Sequence, residues 1–176
     1  MTRRALLAVG AAVLPLMAQQ FQFQLDLLAS KASDSVNVSL NGSTLQFAAK
    51  FLDGDDPDEA RVKKLLTSID GIYVRSFEFK RAGAYLQADL DNVRNQLKTP
   101  EWSRILEIKS EEDGETAEVY VRTVNKKISG VAILFSQPKQ VTVANIVGPV
   151  DLDSIAELSG HFGLPKLKSE KPSRHM

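Results

Sequence analysis

Four consecutive segments in the second half of the chain alternate apolar and polar residues, and this pattern restricts the fold more than any other feature. They are Ser103–Ser110, Thr116–Val124, Ile128–Ser136 and Gln140–Val147. A period of two is typical of β-strands, because successive side chains point to opposite faces of a sheet. Short connections between strands force neighbours to be antiparallel. The sequence therefore predicts an antiparallel four-strand meander.

The connections between these segments carry turn chemistry. They contain Asp113-Gly114, Asn125-Lys126 and Pro138-Lys139, residue pairs that favour tight turns. The segment Ile128–Ser136 is apolar on both faces in its centre. A strand that is buried on both faces lies inside a sheet, so this segment is predicted to be a central strand.

The first half of the chain is dominated by helical patterns. Its predicted elements are a helix over Phe21–Ala32, a strand over Ser35–Leu40, a helix carrying Leu45 to Leu52, a helix begun by Asp56 and Pro57, a strand over Ile72–Phe79 and a helix carrying Leu86 to Leu97. Helices followed by antiparallel strands predict an α+β domain with the helices packed mainly on one face of the sheet.

The end of the chain adds one more predicted helix. Asp151 caps a segment in which Leu152, Ile155, Leu158 and Phe162 recur at helical spacing. Residues 166–176 are polar and lack periodicity, so they are predicted to be a disordered tail. The expected organisation is a single domain over residues 21–165.

The start of the chain resembles a secretory signal peptide. Arg3 and Arg4 supply a positive region, Ala5 to Met17 is apolar, and Ala18 offers a small residue at the cut. The apolar run is about 13 residues, which is short for a membrane span. We expect cleavage near Ala18 and a periplasmic or secreted protein, with a short membrane anchor as the alternative.

The composition excludes several classes of protein. The chain has no cysteine, which excludes disulfides, thiolate metal sites, cysteine nucleophiles and a lipidated cysteine. It has 22 basic and 22 acidic side chains. This balance gives no general attraction to nucleic acid or to an anionic membrane. No nucleic-acid partner and no lipid anchor are therefore expected, and no cofactor or metal motif is present.

Two features invite a chemical reading, and each has a simpler alternative. The acidic loop Asp53–Glu59 could offer oxygen ligands to calcium, but positions six and twelve of the loop do not match the helix-loop-helix pattern, and a solvated loop with a helix cap explains it. His161 could join Ser154 or Ser159 and Asp151 or Asp153 in a triad. No nucleophile elbow or oxyanion hole accompanies it, and a histidine at a helix end is the alternative.

Surface features are interpreted in the same way. The basic pairs Lys63-Lys64 and Lys126-Lys127 are expected to be solvated. Tyr73, Arg75, Phe77 and Phe79 share one strand face, which could stack single-stranded nucleic acid. Packing against helices is the expectation for this face, and a surface for a partner is the alternative if the sheet stays uncovered.

Several segments together resemble the bacterial envelope family named domain of unknown function 4252. They are Val62–Leu65, Gly71–Phe79, Trp102, Asn145–Leu152 and Leu158–Pro165. The resemblance covers roughly residues 25 to 167, and it implies export to the envelope of a Gram-negative bacterium. Many relatives look like lipoproteins, whereas this chain has no cysteine to carry the lipid. The resemblance brings no reaction and no catalytic residues.

Three functional hypotheses follow. The leading one is a non-enzymatic partner-binding or regulatory protein of the envelope, because the sequence predicts export and contains no recognisable catalytic set. The second is an envelope hydrolase that uses His161 and carboxylates from distant segments. The third is a carrier of a small apolar ligand, in a cavity lined by Phe47, Phe51 or Phe77. Catalytic residues and oligomeric state are not identified by the sequence.

Overall fold

The computed structural model describes residues 23–150. The leader, the helix expected from Asp151 and the tail 166–176 lie outside the described residues, so those expectations stay predictions. Within residues 23–150, no helix is long and apolar enough to cross a membrane.

The described part of the chain contains four helices and six strands. They are α1 (Asp26–Lys31), β1 (Asp34–Asn41), α2 (Gly42–Ala49), α3 (Pro57–Ser68), β2 (Gly71–Glu78), α4 (Gln87–Gln96), β3 (Trp102–Ser110), β4 (Glu115–Val124), β5 (Lys127–Gln137) and β6 (Gln140–Val147). The predicted α+β class is confirmed, and each predicted strand is present within two residues of its expected ends.

All six strands form one antiparallel sheet in the order β1-β2-β6-β5-β4-β3. Strands β3 to β6 follow one another as the predicted meander, and β5 lies in its interior as expected. The pairing of β2 with β6, in which Ile72 lies opposite Ile146, attaches the first two strands to the end of the meander. This leaves β1 and β3 as the two edges.

Local sequence explains where several elements begin. The Asp56 carboxylate accepts hydrogen bonds from the backbone N–H groups of Asp58, at 2.8 Å, and Glu59, at 3.1 Å, and so caps α3. Asn41 plays the same part for α2. Between β4 and β5, Asn125 and Lys126 both have positive φ, 51° and 63°. That is the backbone of a tight two-residue hairpin turn.

The register assigns each strand residue to one of two faces of the sheet. Face A contains Leu134 and Val143, which lie opposite each other, and face B contains Ile133 and Ala144. Along β6 every residue that belongs to face A is buried, whereas every residue that belongs to face B is only half-buried. Face A is therefore the better covered side.

Helices cover both faces. On face A, α1 and α4 contribute Leu28, Leu90 and Val93 to one core cluster. On face B, α2 and α3 contribute Leu45 and Leu65 to a second cluster. The expectation had the helices mainly on one face, whereas the structure has two on each. The reason is that β5 is apolar on both sides, and each apolar side needs cover.

Candidate functional site

A buried ionic cluster joins α4 to the sheet on face A. Glu118 of β4 has only 1% of its side chain exposed. The Arg94 guanidinium of α4 donates two hydrogen bonds to Glu118 Oε1, at 2.8 and 2.6 Å. The Tyr120 hydroxyl donates to Oε2 at 2.6 Å, and the Arg104 guanidinium lies 3.5 Å from the same oxygen. Both carboxylate oxygens of Glu118 are therefore paired.

Electrostatics hold this cluster in a fixed ionisation state at neutral pH. Burial disfavours the charge on Glu118, but the hydrogen bonds from Arg94 and Tyr120 outweigh it, so the pKa of Glu118 lies below its ordinary value. Burial and the bond to Glu118 raise the pKa of Tyr120 to about 12. A general acid or base works best with a pKa near the operating pH. The cluster is thus suited to holding α4 in place, not to proton transfer.

A second ion pair, in which only the carboxylate is buried, joins α1 to α4. Lys31 Nζ lies 2.8 and 2.6 Å from the two carboxylate oxygens of Asp89, and the Leu86 N–H donates to Asp89 at 2.7 Å. Burial opposes ionisation of Asp89, but these bonds outweigh it and lower its pKa. Gln24 and Gln96 exchange two further hydrogen bonds, at 2.7 and 2.9 Å. These contacts hold α1 and α4 together as one layer that packs on face A.

The acidic loop uses its carboxylates on its own backbone. Asp53 accepts from the N–H of Asp55 at 2.9 Å, Asp56 caps α3, and Glu59 accepts from the N–H of Asp53. Within residues 23–150, no group of three or more acidic or histidine side chains is placed to hold a metal ion. The geometry fits the alternative of a solvated loop with a helix cap.

The aromatic strand face is packed at Phe77 and Phe79, as expected, whereas Tyr73 and Arg75 are half-buried. Phe77 and Phe79 are buried in the core cluster under α1 and α4. Stacking of bases on these two rings is therefore blocked by the helices. Of the basic pairs, Lys64 and both lysines of the β4–β5 hairpin are exposed, and Lys63 donates to the Leu52 carbonyl at 3.3 Å.

The proposed lining of a ligand cavity does not converge. Phe47 and Phe51 form a T-shaped pair with ring centroids 5.2 Å apart, and 60% and 75% of their surfaces are exposed. Phe77 is buried in the cluster of face A, on the other side of the sheet from α2. A recess beside Trp102 and Asn145 has a volume of about 10 Å³, which suits a single water molecule.

The residues named for a hydrolase lie outside the described part of the chain. They are His161, Ser154, Ser159, Asp151 and Asp153. The structure therefore does not test the triad, which stays a prediction.

Strand β1 forms an open edge of the sheet. Its outer side has no strand partner among residues 23–150. All eight of its residues pair in register with β2, and seven of the eight are exposed. Val36 and Val38 lie on face B of this strand with 58% and 37% of their surfaces exposed. The outward backbone N–H and C=O groups of such an edge can pair with another strand.

The opposite edge, β3, carries features that hinder such pairing. Its register with β4 shifts between Arg104 and Leu106, which marks a bulge. Glu107 forms ion pairs with Arg104, at 3.2 Å, and with Lys109, at 2.7 Å. Bulges and charged side chains protect sheet edges from unwanted partners. Strand β1 has no bulge, and its single charged residue, Asp34, lies at its start.

This edge is the candidate functional site, and the sequence patterns did not predict it. The strand itself was predicted, but the order of strands was not, so nothing identified Ser35–Leu40 as an edge. The sequence held one signal. Three of the six predicted strands contain no charged residue: Ser35–Leu40, Ile128–Ser136 and Gln140–Val147. In the structure the last two are interior strands, whereas the first is β1, which is exposed.

The described residues form an α+β domain whose six-strand antiparallel sheet has one open edge at β1. A family model described as Domain of unknown function (DUF4252) matches residues 30–158, so the chain belongs to that family, as the resemblance implied. No curated protein matches the chain.

The chain is similar to a solved structure, that of the protein PA94 from Pseudomonas aeruginosa, whose function is unknown and which is described as a candidate regulator. The two sequences are 13% identical, and the match covers 80% of this chain and 87% of the PA94 chain, with a TM-score of 0.37.

Proposed function

We propose that the chain is a non-enzymatic binding protein that captures an extended segment of a protein partner along β1. The observation that carries this proposal is the contrast between the two edges of the sheet. Strand β3 has a bulge and several charges, whereas β1 is straight, exposed and almost uncharged. Main-chain pairing along such an edge supplies affinity, and alternate side chains supply specificity.

The side chains of β1 define the chemistry of the partner. Val36 and Val38 present apolar surface on face B, whereas Ser35, Asn37 and Ser39 present polar groups on face A. A matching strand therefore alternates apolar and polar residues. Eight residues at about 3.4 Å each give a contact about 27 Å long. Because β1 has one charge, the partner segment needs little charge of its own.

The proposed location is the bacterial envelope, in a periplasmic or secreted form. The support is the pattern of Met1 to Ala18, together with the lack of cysteine. Mass spectrometry of the exported protein should find its first residue near Gln19. An intact Met1 on exported material would contradict this location.

A photo-crosslinking residue at Asn37 tests the function in the cells that produce the protein. Asn37 is exposed on β1, and the same probe at the exposed Lys109 on β3 serves as its control. Lysines at Val36 and Val38 should block the edge, and Ile105→Lys makes a comparable change on β3, where Ile105 is 50% exposed.

The proposal predicts an adduct from Asn37 to one extended segment of a different protein. That adduct should be lost when Val36 and Val38 are both lysine and should persist in Ile105→Lys. The proposal fails if the Asn37 probe gives no adduct, or if the adduct survives the blocking lysines. An adduct between two copies of this chain would also overturn it, in favour of a homodimer.

A further inference from the structure

An unbroken apolar rung crosses face B of the sheet. It is made of residues that lie opposite one another on all six strands, and we call it the open rung: Val38, Val74, Ala144, Ile133, Val119 and Leu106. Val38 is exposed and the other five are half-buried. The rung carries no charge. A continuous apolar surface of this kind marks a place where another element packs.

The cluster under the helices of face B is centred on the neighbouring rung, and only Ile133 and Val119 of the open rung pack against its margin. Leu45 and Leu65 pack in one cluster with Val121 and Val131, which lie two residues along their strands from Val119 and Ile133. Val74 and Ala144, at the centre of the open rung, do not belong to that cluster. Room for a further element therefore begins where the cover of α2 and α3 ends.

The chain leaves the sheet on this same side. After β6, Gly148 turns the backbone with a φ of 117°, and its N–H donates to the Ser129 carbonyl at 3.0 Å. Val150 is then buried in the cluster of face B, beside Val121 and Val131. The chain from Asp151 onward therefore starts on face B, at the cluster that borders the open rung. The other end of the described chain differs, because Phe23 packs in the cluster of face A.

The segment that follows Val150 has the pattern that this surface needs. Its apolar residues Leu152, Ile155, Leu158 and Phe162 recur at helical spacing. A helix over residues 151–162 is about 18 Å long, and the strands lie about 4.8 Å apart, so it reaches across about four strands. The family match extends to residue 158, which makes most of this segment part of the shared domain.

We propose that residues 151–162 form an amphipathic helix that docks across the open rung on face B. The apolar stripe of the helix covers Val74, Ala144 and Ile133, and its polar side faces the solvent. This inference does not depend on the capture of a strand at β1, because the unpaired backbone groups of β1 lie in the plane of the sheet and the rung lies on one face.

Two measurements on the full chain test the docking. An isolated helix of 12 residues is marginal in water, so strong amide protection over 152–162 requires packing. The proposal predicts that hydrogen exchange of these amides is slowed at least about 100-fold in the unmodified protein. Exchange at the rate of an unfolded chain would overturn it.

The second measurement is the rate of thiol labelling of Ala144→Cys, in a chain that has no other cysteine. We expect Ile155→Asp combined with Leu158→Asp to speed labelling at least about tenfold, since a docked residue becomes accessible only by local opening. The control pair Asp153→Asn with Glu157→Gln lies on the polar side of the helix and should leave the labelling rate of Ala144→Cys unchanged. A second control places the thiol at Ser35, on face A. Neither double substitution should change the labelling rate of Ser35→Cys. Equal rates in all variants would refute the docking. If labelling of Ala144→Cys slows as the protein concentration rises, a second copy of the chain covers the open rung. That result would also overturn the proposal.

Discussion

Replacing Arg94 with Met is expected to lower the free energy of unfolding by about 3 kcal/mol. The change removes both hydrogen bonds to Glu118 Oε1 and the charge that balances a carboxylate with 1% of its side chain exposed. Removing one partner of a buried ion pair costs about 3–5 kcal/mol, because the remaining charge is buried without compensation. The lower end applies here, since Tyr120 still donates to Glu118 and Arg104 lies 3.5 Å away.

The matched control is Lys109→Met, in an exposed pair with Glu107 whose atoms are 2.7 Å apart. Exposed pairs contribute less than about 1 kcal/mol, so this variant should remain close to wild type. Combining Arg94→Met with Glu118→Met should recover much of the loss, because no buried charge then remains.

The assay is urea unfolding followed by circular dichroism at neutral pH, with the free energy taken from the linear extrapolation. A loss below about 1 kcal/mol in Arg94→Met would refute the reasoning, since the buried carboxylate would then have found another partner or water. A double variant no more stable than Arg94→Met would refute it as well, because it would show that lost packing, and not the unpaired charge, dominates.

Other changes test separate parts of the structure by the same urea assay. The stabilisation from Glu118, whose folded pKa is lowered, is present above its ordinary pKa and lost as the pH falls through the folded value. The gap between wild type and Glu118→Gln should therefore narrow as the pH falls below 4.5, the ordinary pKa of this carboxyl group, and a constant gap would contradict this. The Tyr120 pKa is raised from 10.0 to about 12, so its contribution is full below pH 10.0 and is lost as the pH rises towards 12. The free energy of unfolding of Tyr120→Phe should not show this fall above pH 10.0. If it falls as steeply as in the wild type, Tyr120 is not the source of the loss. Asp56→Ala removes the cap of α3 and should cost about 1 kcal/mol, whereas Asp55→Ala should cost almost nothing. Gly148→Ala should cost about 2 kcal/mol, because a Cβ at φ +117° meets the Asp70 backbone nitrogen at 2.7 Å; a neutral result would show that the turn relaxes.

Local patterns predicted the elements of this fold well, and their arrangement less well. The strand positions follow from alternation, and the start of α3 follows from Asp56 and Pro57, because these signals act within a few residues. The pairing of β2 with β6 joins residues about 70 positions apart, such as Ile72 and Ile146. No short-range pattern encodes that pairing, so the order of strands and the identity of the edges were not predicted.

The candidate site was missed for the same reason. Val36 and Val38 have the alternation of any half-buried strand, and only the sheet order shows that their strand has a free side. The cluster around Glu118 was equally invisible. A carboxylate between Ala117 and Val119 looks like the polar side of an exposed strand until α4 brings Arg94 over it.

Hydrogen exchange along both edge strands, with and without the partner segment found by crosslinking, tests the central claim most directly. With that segment supplied as a synthetic peptide, the account predicts that amides of β1, over Asp34–Asn41, become protected, while those of β3, over Trp102–Ser110, keep their rates. Binding of the peptide with unchanged exchange along β1, or with new protection along β3, would contradict the claim that β1 is the binding edge.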